Sequence, residues 1–201
     1  MRRIRWAPLA VFGMMGGVAL LLVGGAVEGQ PTTMDAFATF SSTTPQLPVQ
    51  FEYPAGWQPE ESSGSHERYA QVQVYAPESF EPRLRTYLVV RCVPPRAEGG
   101  RYAGLAEMVE AYRATMQSGL RVDEERQVQV MGRPATQLEV SGIFQLPWET
   151  PGEHAVPVKS QRVFFEQDGH FYELAWMGTP EVADQVSAAF ARLLQTLTLV
   201  Q

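Results

Sequence analysis

The chain has 201 residues, of which 45% are hydrophobic and 19% charged, with a formal net charge of −6 at pH 7. This is enough chain for one ordinary domain and an export segment, and its near-globular composition excludes wholesale disorder. The acidic balance argues against nucleic acid as a partner, and the single cysteine, Cys92, excludes an internal disulfide.

Residues 1–29 stand apart. Arg2, Arg3 and Arg5 precede an apolar run from Ala7 to Val27, closed by Gly24, Gly25 and Ala26. This is the layout of a secretory signal peptide. The run is also at the lower edge of a spanning length, so cleavage after Gly29 and an uncut membrane anchor both fit. Five glycines weaken a long helix and favour cleavage. No cysteine lies at the end of the run to accept a lipid. Loss of residues 1–29 takes three of the 16 Lys+Arg and one of the 22 Asp+Glu, leaving 13 against 21 and a net charge of −8.

Residues 30–47, rich in Thr, Ser and Pro, read as a linker, and the folded domain is expected over 48–201. Val49, Phe51 and Tyr53 alternate with polar residues up to the breaker Pro54-Ala55-Gly56, which predicts a half-buried strand. The polar stretch 58–67 reads as a loop. Two strands follow, over 69–76 and 83–93. Side chains alternate sides along a strand, so Ala70, Val72, Val74 and Ala76 share a core face, as do Leu84, Leu88, Val90 and Cys92. A helix is predicted over 102–116 from the apolar stripe Tyr102, Leu105, Met108, Val109, Tyr112 and Met116, with Gly119 able to stop it. Strands at 127–131 and 135–144 flank Gly132-Arg133-Pro134, and 146–157 reads as a Pro-rich loop around Trp148. Asp168-Gly169 marks a two-residue hairpin turn between strands at 158–167 and 170–177. A final helix is expected to be capped by Thr179 with Pro180 at its first position, and Val182, Val186, Ala189, Phe190, Leu193, Leu194 and Leu197 form its buried stripe. The order is three strands, helix, four strands, helix. It predicts an α+β fold in which an antiparallel sheet is packed by helices, with the two apolar stripes sealing one side.

The segment Val49-Gln50-Phe51-Glu52-Tyr53-Pro54-Ala55-Gly56-Trp57, the hairpin around Gly132-Arg133-Pro134, the strand His170-Phe171-Tyr172-Glu173-Leu174 and the closing helix together resemble the PsbP-like family, which includes DcrB-like envelope proteins. The resemblance covers about 150 residues in the right order. It implies an α/β/α sandwich around an antiparallel sheet and a role in binding with no bond-making. No binding residue is carried over from it.

No catalytic or metal site is legible. His66, His154 and His170 are scattered, Cys92 falls on a core parity, and no nucleophile elbow or phosphate-cradling loop is present. The acidic runs Glu60-Glu61 and Asp123-Glu124-Glu125 read as solvated loops. No cofactor is expected. The uneven feature lies on the non-core parity of two strands, where Tyr69, Gln71, Gln73 and Tyr75 face Arg83, Arg85, Tyr87 and Arg91. If those strands pair, they present a Tyr/Gln/Arg surface of the kind favoured in recognition, which Trp148 and His154 would border. The sequence therefore predicts an exported, non-enzymatic envelope domain that binds a protein or membrane-associated complex, with the membrane met only through an uncleaved N-terminus. The alternative is a carrier of a small lipid or hydrophobic ligand, motivated by Phe164, Phe165, Tyr172, Trp176 and Phe190.

Overall fold

The structure, a computed structural model, describes residues 36–64, 68–146 and 154–200, all within a unit spanning 32–201. The expected signal or anchor, His66, Trp148 and much of the Pro-rich loop lie outside the described residues.

Strands β1 (Phe37–Ser41), β2 (Val49–Pro54), β3 (Gln58–Gly64), β4 (Tyr69–Tyr75) and β5 (Tyr87–Val93) lead to helix α1 (Leu105–Thr115). Then come β6 (Leu120–Val130), β7 (Arg133–Gln145), β8 (Ala155–Gln167), β9 (His170–Gly178), α2 (Ala183–Thr196) and the short β10 (Thr198–Leu199). Seven strands form one sheet in the order β3-β4-β5-β9-β8-β7-β6, every neighbouring pair antiparallel. A smaller sheet, β1-β2-β10, stands beside it.

The Asp168-Gly169 turn sets the central register. Both residues take positive φ (53° and 78°), the two-residue geometry that matches strand twist, and Gln167 pairs with His170. Consecutive residues of β9 then go to opposite faces: Tyr172, Leu174 and Trp176 to one, Phe171 and Glu173 to the other. Nearly all of β9 is buried because both faces are covered.

On one face α2 lays Val186, Ala189, Phe190 and Leu193 against Leu88, Val90, Val163 and Leu174. Each of those four helix residues is at most 1% exposed, and burying Val186, Phe190 and Leu193 contributes roughly 1.5–3 kcal/mol apiece. The small sheet, through Val49 and Phe51, and Leu47 in the connection before β2 complete this cover, and Arg192 Nε ties the sheet to α2 by donating to Glu52 at 2.6 Å. On the other face α1 sets Met108 and Val109 against Leu138, Val140, Phe164 and Phe171. The helices therefore occupy opposite faces, as an α/β/α sandwich requires, and do not seal one side together. Periodicity finds a helix's buried stripe but cannot say which face of the sheet receives it.

The stretch expected to be linker contains β1, which pairs with β2 from Phe37 opposite Pro54 to Ser41 opposite Gln50. The expected loop at 58–67 contains β3, an edge strand whose residues are nearly all exposed. A strand solvated on both sides has no apolar alternation to read, and its Glu60 and Glu61 suit an edge that must not recruit another chain. The strand expected over 83–93 begins only at Tyr87, because the chain bends at residues 82–84 before it enters the sheet. Thr179 does not cap α2: the helix starts at Ala183, its N-cap Val182 gives no side-chain bond, and the Thr179 hydroxyl donates to buried Glu81.

Candidate functional site

The residues singled out on β4 and β5 do pair. Gln71 lies opposite Arg91 and Tyr75 opposite Tyr87, all on the face that carries α1. The helix sits over β7 and β8, leaving β4 and β5 partly open: Tyr69, Gln73, Tyr75, Tyr87 and Arg91 are half-buried, whereas Gln71 and the intervening Val89 are buried. Gln73 Oε1 accepts from Tyr75 Oη at 2.8 Å and from Gln71 Nε2 at 3.3 Å. Tyr75 and Tyr87 meet edge to face at 6.2 Å.

Arg85, just before β5, lays its guanidinium 3.5 Å from the Tyr75 ring centroid and reaches Glu60 at 3.1 Å. Arg83 does not join the face. It bridges Glu81 and Glu181 in the bend, where those carboxylates hold its pKa above the usual guanidinium range. His154 is exposed at the start of the last hairpin, and His170 stands 3.6 Å from Glu98.

The centre of the face is a group the sequence reading missed. Glu173 on β9 lies opposite Arg91, and Arg162 on β8 is its diagonal neighbour across the hairpin. Arg91 Nη1 donates to Glu173 Oε2 at 3.2 Å and Arg162 Nη1 donates to Oε1, so both carboxylate oxygens are engaged. Arg91 Nε donates to Gln71 at 3.0 Å. The Glu173 side chain is 5% exposed, that of Arg162 16% and that of Arg91 36%. Arg162 sits over the Tyr112 ring of α1 at 4.5 Å and Arg91 over Tyr69 at 5.0 Å, both attractive positions for a cation. Burial pushes the Tyr87 and Tyr112 phenols above their usual range, with the charge of Arg162 opposing it. Burial also works against the charge on Arg162, but Glu173 and the two phenols more than offset it and its pKa is raised. The signal was present in the sequence: a Glu and an Arg interrupt two otherwise apolar strands, and the Asp168-Gly169 register brings them together.

Between α1 and this cluster lies a cavity of about 170 Å³ bordered by Tyr69, Arg91, Tyr102, Tyr112, Arg162 and Glu173. Three arginines, Arg91, Arg101 and Arg162, line it against the carboxylate of Glu173 and make it locally cationic within an acidic protein. Its chemistry is suited to holding an anionic or aromatic group. Glu173 is poorly placed as a base, and Cys92, on the opposite face, has its thiol pushed up to about 11 by burial. Among the described residues no three of His, Cys, Asp and Glu come together at metal-binding distance, and no helix is long and apolar enough to cross a membrane.

An antiparallel sheet with one helix on each face defines an α/β/α sandwich, and one of its faces carries an aromatic, arginine-bearing strand surface. The fold is PsbP-like: the chain is similar to the solution structure of cyanobacterial PsbP (CyanoP) from Synechocystis sp. PCC 6803, with a TM-score of 0.50 and 12% identity over 87% of this chain and 99% of that one. It is also similar to LpqN, involved in cell envelope biogenesis of Mycobacterium tuberculosis, with a TM-score of 0.49 and 13% identity over 83% and 91% of the two chains. No family model and no curated protein matches the chain.

Proposed function

We propose that this is an exported, non-enzymatic domain of the cell envelope that binds a protein partner or assembly through the open part of the β4/β5 face. Residues 1–29 serve as its signal peptide or anchor, and the domain from residue 48 onward carries the binding surface. The observation that carries this reading is the concentration of Tyr69, Tyr75, Tyr87, Arg85 and Arg91 on one partly solvated patch. Tyr and Arg contribute most of the energy of protein interfaces because each combines large contact area with polar reach. Surplus positive charge on an acidic protein selects an acidic partner surface. The carrier alternative is less well supported. Phe165 stacks on Tyr172 at 5.0 Å and Phe190 is 1% exposed, so these aromatics fill the core.

The reading is tested by affinity recovery from envelope extracts with wild type, Tyr75→Ala/Arg85→Glu on the face, and Gln185→Ala/Gln195→Ala on the exposed side of α2 as control. Loss of a specific partner with the face variant alone supports the interface. Equal recovery with all three removes the face from consideration.

A further inference from the structure

An exposed strand edge invites pairing with another chain, and charge, proline or an irregular register is the usual protection against it. Three of the four sheet edges among the described residues are guarded. β3 carries Pro59, Glu60 and Glu61, and β6 carries Asp123-Glu124-Glu125 with a register shift between Val122 and Glu124. β10 is two residues long, and beyond it Thr196 Oγ1 of α2 accepts the Glu52 N–H at 2.9 Å. β1, Phe37-Ala38-Thr39-Phe40-Ser41, is the fourth edge, with no charge, no proline and an unbroken register with β2.

The direction of its backbone groups follows from the bonds at its two ends. Ala36 O accepts from Ala55 N at 2.9 Å and Ser42 N donates to Val49 O at 2.9 Å, so the even-numbered residues form the hydrogen-bonded pairs with β2. Pro54, which has no N–H, sits opposite odd-numbered Phe37, where no bond towards β1 is needed. Phe37, Thr39 and Ser41 therefore aim N–H and C=O away from β2, and nothing among the described residues bonds to those outward groups.

We propose that β1 is a dimerisation edge, pairing antiparallel with β1 of a second copy about a two-fold axis at Thr39. The register sets Phe37 opposite the partner's Ser41 and Thr39 opposite the partner's Thr39, so every outward residue enters a bonded pair that exchanges two hydrogen bonds. Threonine facing threonine is a favourable cross-strand pair, each phenylalanine meets a small residue (Phe37 with Ser41, Phe40 with Ala38), and no charge faces its own copy. The same operation on β6 fails, because a two-fold at Glu124 sets that carboxylate against itself and Asp123 against Glu125. Ala38 and Phe40 remain on the inner side, where Phe40 packs on Phe51 at 5.1 Å, so the two small sheets join without disturbing either core. A two-fold contact uses up both edges and stops at the dimer. An edge of 5 residues falls well short of the roughly 1,200–2,000 Å² of a standard interface, so the dimer is weak and concentration-dependent. It uses no residue of the β4/β5 face and goes beyond the interface reading above.

The test is sedimentation of the full chain in a mild non-ionic detergent over a wide concentration range. Wild type is expected to rise from monomer to dimer and no further. Thr39→Pro removes an N–H that β2 does not use, so it is expected to keep the wild-type circular dichroism and urea midpoint while weakening the dimer at least about tenfold. Thr39→Lys and Thr39→Glu, each facing its own charge across the axis, are expected to be monomeric alone and to dimerise when mixed, which keeps the test open if the proline variant misfolds. Wild type that stays monomeric up to about 1 mM, mass that climbs past the dimer, a dimer indifferent to Thr39→Pro, or no recovery on mixing the charged variants overturns the proposal. A monomeric wild type whose recovery of an envelope protein is lost with Thr39→Pro assigns the edge to a foreign strand and overturns it equally. Dimerisation that survives Tyr75→Ala/Arg85→Glu is expected, and it keeps this edge separate from the fate of the β4/β5 face.

Discussion

Glu173→Gln removes the negative charge that two arginines share while keeping the side chain's size. With Glu173 only 5% exposed and Arg162 16% exposed, the variant leaves a largely buried guanidinium without its counter-charge, a change that costs about 3–5 kcal/mol when a buried pair is broken. Arg91 is 36% exposed, so water compensates much of its loss, and the glutamine carbonyl can still accept one bond. The expected cost is therefore near the lower end, about 3 kcal/mol. Urea unfolding reads it as a midpoint lowered by roughly 1–3 M with unchanged slope, given slopes of about 1–3 kcal/mol/M. Arg85→Gln provides the internal standard: its pair with Glu60 is exposed on both sides (57% and 55%), and its loss is expected to cost under about 1 kcal/mol. A Glu173→Gln protein within about 0.5 kcal/mol of wild type, or no worse than Arg85→Gln, would refute the claim that Glu173 organises the face.

Glu81 lies in a buried position where burial raises its pKa but bonds from Thr179 and Arg83 more than offset that, leaving it below the ordinary 4.5. A carboxylate depressed in the folded state stabilises above its unfolded pKa and loses that stability as pH falls through its folded one, so Glu81→Gln should flatten the drop in unfolding free energy below about pH 4.5. With Cys92 raised from 9.0 to about 11, its thiolate fraction at pH 8 falls about a hundredfold, so alkylation of the native protein should be at least that much slower than in urea. Fast native labelling would show β5 to be open. Phe165→Ala deletes a fully buried ring stacked on Tyr172 and is expected to cost about 3–5 kcal/mol by chemical denaturation, whereas a loss under 1 kcal/mol would mean that this part of the core is loosely packed.

The parts of this fold legible in the sequence are those where one period dominates. Val72, Val74, Leu88 and Val90 alternate cleanly and are all fully buried, and Phe190 and Leu193 mark α2 at helical spacing. What escaped has a physical reason in each case. The strand Gln58–Gly64 sits at a sheet edge and is polar on both sides, and the strand Phe37–Ser41 alternates only between exposed and half-buried positions. Arg83 has the parity of Arg91 but lies beyond the strand, where Glu81 and Glu181 hold it. On the candidate face, parity placed Gln71 and Tyr75 on one side and Arg91 and Tyr87 on the matching side, and the structure supplies the pairing and register that join them. Glu173 and Arg162 did not, because they needed the register of a second hairpin carried across to the first.

Placing a photo-crosslinking amino acid at Tyr75, and in parallel at Gln185 on the exposed side of α2, tests the proposed interface in intact envelopes. The account predicts a discrete adduct from Tyr75 and none from Gln185; adducts of equal yield from both positions, or none from Tyr75, would contradict it.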